Sequence, residues 1–180
     1  MRPSARSETA TGPGSGRARI AFLALLLVLS VAACGPPRER FRGMHTSPKA
    51  LAEEFLRGLE AEDRPRLEAL ALSKQEFELE VFPEMPAYGN VPPGFAWSQL
   101  ELRNFHGLST VLASQGGRQW ELEEMAFRGG ATVYQTFTVH RRPMLRLRDR
   151  RTGERREMAF FGSLLECDGR YKLFSFNIDR

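Results

Sequence analysis

The chain has 180 residues, of which 42% are hydrophobic and 27% charged, the mixture expected of a globular chain about one domain long. Its two cysteines exclude a multi-cysteine zinc site or a disulfide scaffold. Of its 26 basic and 22 acidic residues, four and one precede Cys34, leaving 22 against 21 after it, too near balance to argue for a nucleic-acid partner.

In chain order the first feature is Ile20 to Ala33, fourteen apolar or small residues with Ser30 as the one polar member, set between Arg17/Arg19 and Gly35-Pro36-Pro37. A membrane-spanning helix needs roughly 20 apolar residues. A basic stretch, a short apolar stretch and small residues at the break are instead the pattern of a secretory signal. The tetrad Val31-Ala32-Ala33-Cys34 resembles the lipobox of bacterial lipoproteins. That resemblance implies cleavage before Cys34, lipid attachment (palmitate-type acyl chains) at Cys34, and a place on a bacterial membrane facing the periplasm or the exterior. Several buried chains at about 0.8 kcal/mol per CH₂ make such an anchor effectively permanent. Gly35, where some inner-membrane relatives carry aspartate, leans towards the outer membrane. The expected division is residues 1–33 as signal, 34–45 as lipidated tether and 46–180 as the folded domain.

Ser47 suits a helix N-cap and Pro48 the first helical position. Leu51, Phe55 and Leu59 recur every four residues, with Glu53, Glu54, Arg57 and Glu60 facing out, which predicts an amphipathic helix. A second short helix is expected after Asp63, burying Leu67 and Leu70. Ser73-Lys74-Gln75-Glu76 has capping-box form and opens a third, carrying Phe77 and Val81. Pro83, Pro86, Gly89, Pro92, Pro93 and Gly94 mark a loop. The helical period returns over residues 97–113 through Leu100, Asn104, Leu108, Val111 and Leu112, and Gly116-Gly117 stops it.

The remainder predicts strands at 119–127, 131–140, 144–149, 157–167 and 171–178, with a kink within one long strand at Arg141 to Pro143. Between them lie Gly129-Gly130, Thr152-Gly153 and Asp168-Gly169; the last accepts the positive φ values of a tight hairpin. An antiparallel sheet follows. Phe174, Phe176 and Ile178 are expected on one face of the last strand. Residues 157–167 are apolar on both faces, as in a central strand, and Gly162 predicts a bulge or bend.

The helix Pro48-Lys49-Ala50-Leu51-Ala52-Glu53-Glu54-Phe55-Leu56 and the ending Asp168-Gly169-Arg170-Tyr171-Lys172-Leu173-Phe174-Ser175-Phe176 resemble the opening and close of nuclear-transport-factor-2-like (cystatin-like) domains of bacterial lipoproteins. The resemblance implies an α+β fold, with N-terminal helices packed on a curved antiparallel sheet to form a cone. In some relatives the cone holds a ligand or an active site. Isomerase relatives use an acidic base with a tyrosine and a protonated acid in an apolar pocket; Tyr134, Glu166 and Asp168 are the candidates on the strands here. Glu166 is expected at a rim or in an ion pair, and Asp168 in a turn.

His45, His106 and His140 share no metal-ligand spacing, and His140 is expected as a polar surface group. Cys167 is expected as a small, semi-buried thiol. No GxSxG, HExxH, P-loop or CxxC motif is present, and nothing points to a cofactor. The conspicuous surface feature is Arg141, Arg142, Arg146, Arg148, Arg150, Arg151, Arg155 and Arg156. Leu145 and Leu147 alternate with Arg146 and Arg148, placing the arginines on the solvent face of a hairpin. Two readings stand: an edge protected by charge, or contact of Arg146, Arg148, Arg150 and Arg151 with anionic lipid, polysaccharide or an acidic protein. The expected function is a membrane-anchored, non-catalytic binding or scaffold domain of the cell envelope, with an envelope protein or a small apolar ligand as partner. The alternative is an isomerase- or hydratase-type enzyme that uses the cone as its active site.

Overall fold

The computed structural model describes residues 39–85 and 90–176; the signal, Cys34, Pro86, Gly89 and Ile178 lie outside the described residues. Helix α1 (Pro48–Glu60) starts as its sequence dictates: Ser47 Oγ accepts the Ala50 N–H at 3.0 Å, and Leu51, Ala52, Phe55, Leu56 and Leu59 are buried. Asp63 caps α2 (Arg64–Ala69), accepting the Arg66 N–H at 3.1 Å. Helix α3 (Lys74–Glu76) completes its capping box with Ser73 and runs into a π turn (Phe77–Val81) and a 3₁₀ turn (Phe82–Glu84). Helix α4 (Pro93–Gln115) starts earlier than expected, because Pro93 occupies a first-turn position, where its missing N–H is no loss. Among the described residues no helix is long and apolar enough to cross a membrane.

The strands are β1 (Trp120–Phe127), β2 (Ala131–Val133), β3 (Thr138–Arg141), β4 (Pro143–Asp149), β5 (Arg155–Met158), β6 (Phe161–Cys167) and β7 (Arg170–Phe176). They form two antiparallel sheets in the orders β1-β4-β5 and β2-β3-β6-β7. Strand β3 passes into β4 through Arg142, and β5 into β6 through Ala159-Phe160. The two sheets are thus halves of one meander bent along a single line. With the helices before them they make an open, cone-like α+β arrangement.

Two expected strands need correction. Residues 131–140 are not one strand: β2 and β3 pair as a hairpin, Val133 opposite Thr138, closed by Tyr134 N–H to Phe137 O at 2.9 Å. Residues 157–167 divide between the sheets at the bend. Gly129-Gly130, expected between separate strands, lies on the bend itself, since β1 pairs with β4 and β2 with β3. The kink expected at 141–143 is present, with Arg142 at φ +49. Asp168 (φ +51) and Gly169 (φ +70) form the expected tight turn.

The core has two parts. In one, α1, Leu67, Leu108 and Val111 pack on Leu145, Leu147, Phe160, Phe161, Leu164, Leu173 and Phe176. In the other, Phe41, Leu72, Phe77, Val81, Trp97 and Leu100 meet Phe137, Val139, Leu165, Cys167 and Phe174. Leu164 and Leu165 serve opposite parts, so β6 is buried on both faces, as its pattern predicts. Phe174 and Phe176, expected on one face, fall in different parts. The register slips at Gly162 on β6 and again at Phe174 on β7, and each extra residue reverses the alternation.

The folded unit begins at Arg40, before residue 46. Phe41, assigned above to the tether, is 1% exposed. Arg42 N–H donates to Glu76 at 2.6 Å, and His45 exchanges backbone hydrogen bonds with Tyr171 at 2.8 and 2.7 Å. One aromatic residue in a Pro- and Arg-rich stretch carries no periodicity, which is why its burial does not show in the pattern.

Candidate functional site

The hollow between sheet and helices is where a ligand would be sought in such an architecture. Phe55, fully buried at the centre of α1, stands there with its ring centroid 4.8 Å from Phe161, 5.3 Å from Phe160 and 6.2 Å from Phe176. Tilted and edge-on rings at these separations pack favourably, and protein side chains occupy this space.

A polar cluster sits on the sheet beside this core. His140 on β3, Glu166 on β6 and Tyr171 on β7 are brought together by cross-strand register, Glu166 lying opposite Thr138 and Tyr171. His140 Nε2 and Glu166 Oε2 are 2.5 Å apart. Burial, with the neighbouring Glu166 carboxylate and its hydrogen bond, raises the Tyr171 phenol above its ordinary value. Phe127 covers the imidazole at 4.8 Å. Side-chain exposures of 21% and 30% for His140 and Glu166 leave the pair reachable by solvent. It can hold and pass a proton. Glu166 is thus hydrogen-bonded to His140, which is this partner rather than a surface group.

The other candidates scatter. Tyr134 stacks on Phe137 in the β2–β3 turn at 4.6 Å, and Asp168 belongs to the last turn. Cys167 is buried; burial, reinforced by the Asp168 carboxylate, pushes its thiol up, away from the reactive thiolate. Burial lowers the pKa of His45, and His106 is exposed on α4. Among the described residues no three His, Cys, Asp or Glu side chains stand together to hold a metal ion.

The arginine hairpin is compensated. Arg146 pairs with Glu124 at 2.8 Å, Arg148 with Glu121 at 2.5 Å, Arg150 with Glu60, Arg155 with Glu123 and Arg156 with Glu154. Arg148 and Arg155 lie directly opposite each other, and the glutamates of β1 relieve that repulsion. Of Arg146, Arg148, Arg150 and Arg151, Arg151 alone has no side-chain carboxylate partner among the described residues. Strand β4 lies between β1 and β5, so Arg146 and Arg148 stand on a central strand and only Arg155 and Arg156 line an edge; the pairing leaves little bare positive charge.

Helices α2 and α4 border a groove of about 660 Å³, lined by Ala71, Leu72, Trp97, Leu102, Phe105 and Phe176 among others. Leu102 and Phe105 are 52% and 55% exposed, and the Arg64 guanidinium stacks over the Phe105 ring at 5.2 Å. The period of α4 is the signal available in the sequence, since Leu102 and Phe105 lie off its core-facing series. No family model, curated protein or solved structure matches the chain.

Proposed function

We propose that this protein is a bacterial lipoprotein anchored through Cys34, with a nuclear-transport-factor-2-like domain that binds or scaffolds in the cell envelope rather than catalysing a reaction. The lipobox tetrad supports the anchor, and the order of helices before a bent antiparallel meander supports the family. The observation that carries the non-catalytic reading is the filling of the hollow by Phe55, Phe160, Phe161 and Phe176. With that space occupied by protein, an envelope protein is a better-fitting partner than a small apolar ligand inside the cone. Intact-mass analysis of the membrane fraction tests the anchor: the mature chain is expected to begin at an acylated Cys34, and Cys34→Ala to abolish processing. A soluble, unmodified full-length chain would refute it.

One observation favours the enzymatic alternative, the contact of His140, Glu166 and Tyr171. In that reading Glu166 takes a proton from a carbon acid, with His140 holding the carboxylate in place. Carbon-bound deuterium exchange in a panel of small enolisable ketones, lost in Glu166→Gln, would support it over the scaffold reading.

A further inference from the structure

The positive charge that the hairpin neutralises remains uncompensated at the bend. A cleft of about 850 Å³ opens where the strands turn, bordered by Arg128, Arg141, Arg142 and Glu157, with Met144 and Ala159 as apolar wall. Arg128 is held by Glu157 at 3.0 Å. Arg141 donates to the neutral hydroxyl of Thr132 at 3.1 Å, and among the described residues neither Arg141 nor Arg142 has a carboxylate partner. Three guanidiniums against one carboxylate leave two positive charges facing solvent.

The backbone here is spent on the fold. Arg142 N–H donates to Gly162 O at 3.0 Å and Arg142 O accepts from Arg128 N–H at 2.9 Å, while Gly129 N–H donates to Arg141 O at 3.1 Å. Recognition therefore falls to the side chains. Arg142 sits at φ +49, a region strained for a residue with a β-carbon and relaxed for glycine. An unpaired arginine thus occupies a position where glycine would fold more easily.

We propose that this cleft binds a phosphate monoester, with the Arg141 and Arg142 guanidiniums on its oxygens and Arg128 at the rim. Two surplus charges match a phosphate carrying about −1.5 to −2 at neutral pH, whereas a carboxylate would leave one unanswered. The planar guanidinium presents paired donors suited to phosphate oxygens. The cleft has room beyond the phosphate, and the half-buried Met144 and Ala159 offer its organic part an apolar wall. Two sources share this chemistry, a lipid headgroup of the phosphatidic acid type and a soluble sugar or glycerol phosphate.

The test uses the full chain in neutral detergent, titrated calorimetrically with glycerol 3-phosphate and with mixed micelles of phosphatidylcholine with and without phosphatidic acid. Binding of glycerol 3-phosphate identifies a soluble ligand; binding of phosphatidic acid micelles alone identifies a headgroup. In either case Arg141→Gln with Arg142→Gln should weaken binding by roughly tenfold or more per arginine, while Arg146→Gln with Arg148→Gln leaves it unchanged. Gly130→Leu should weaken binding without altering charge, because a β-carbon at Gly130 meets nothing within 4 Å and the side chain takes up cleft space. Arg142→Gly should raise the thermal midpoint while weakening binding, a combination that a purely structural arginine would not produce. Failure of every probe to bind overturns the proposal. So does equal loss in the Arg146/Arg148 pair, which would make the attraction diffuse charge.

Discussion

Replacing Lys172 by methionine is expected to cost about 3–5 kcal/mol, as breaking a buried ion pair does, and to lower the thermal midpoint by on the order of 10 °C. Lys172 Nζ lies 2.8 Å from both Glu76 carboxylate oxygens and 2.7 Å from Arg42 O, and the two side chains are 5% and 8% exposed. The same carboxylate accepts from Ser73 N–H at 2.8 Å and Arg42 N–H at 2.6 Å. One cluster thus ties the N-terminal strap (residues 40–46), the start of α3 and strand β7 together. Methionine matches the volume of the lysine stem, so the loss is chiefly that of an uncompensated buried carboxylate. Adding Glu76→Gln should recover part of it, because a neutral amide needs no counter-charge. Starting the chain at Ser47 should be comparably damaging, since it removes Phe41, worth roughly 1.5–3 kcal/mol when fully buried, as well as Arg42. Urea midpoints of these variants decide the matter. Unchanged midpoints would mean that the strap does not belong to the folded unit.

The same cluster sets an acid limit. Burial raises the Glu76 carboxyl, but the Lys172 ammonium and the Ser73 and Arg42 N–H groups outweigh it and hold the carboxyl below its ordinary 4.5. A carboxyl whose pKa is lower folded than unfolded contributes stability that is complete above the unfolded value and is lost as pH falls through the folded one. The wild type should therefore lose stability below about pH 4.5, and Glu76→Gln should show a shallower loss over the same interval.

Local features were the legible ones. The cap at Ser47, the period of α1, the Asp168-Gly169 turn and the bulge at Gly162 are each dictated within a few residues. The β2–β3 hairpin was not legible, because Tyr134, Gln135, Thr136 and Phe137 include no Gly, Pro, Asn or Asp. That turn is held by the Tyr134–Phe137 stack and by Glu84, whose carboxylate accepts the Thr136 N–H at 3.0 Å from 52 residues away. Gly129-Gly130 carried the turn signal and marks instead the bend, where a β-carbon on Gly129 would come within 2.8 Å of Arg141. For the site, the arginines were visible but their partners were not. The Glu121 and Glu124 pairings follow from β1 lying beside β4, Glu123 reaches Arg155 of β5 from the irregularity in β1, and His140 meets Glu166 only once β3 lies beside β6. Register is a property of the assembled sheet, and composition does not supply it.

Phe55→Ala is expected to destabilise the fold by about 3–5 kcal/mol, the range for removing a fully buried aromatic side chain. Its three aromatic neighbours belong to β6, β7 and the link from β5 into β6, so they cannot all move inward to close the gap. The space left should be a dry apolar cavity of the kind that takes up benzene or xenon. Phe55→Leu, which conserves most of the volume, should lose less, on the order of 1–1.5 kcal/mol. Probe binding separates the two readings of the cone. If the hollow is a filled core, the wild type binds no benzene and Phe55→Ala does, with benzene raising the variant's midpoint and leaving the wild type's unmoved. If the hollow is a working ligand site, the wild type already binds, and the substitution changes affinity instead of creating it. Benzene-dependent stabilisation of the wild type would overturn the scaffold reading and return the cone, with His140 and Glu166 beside it, to the enzymatic alternative.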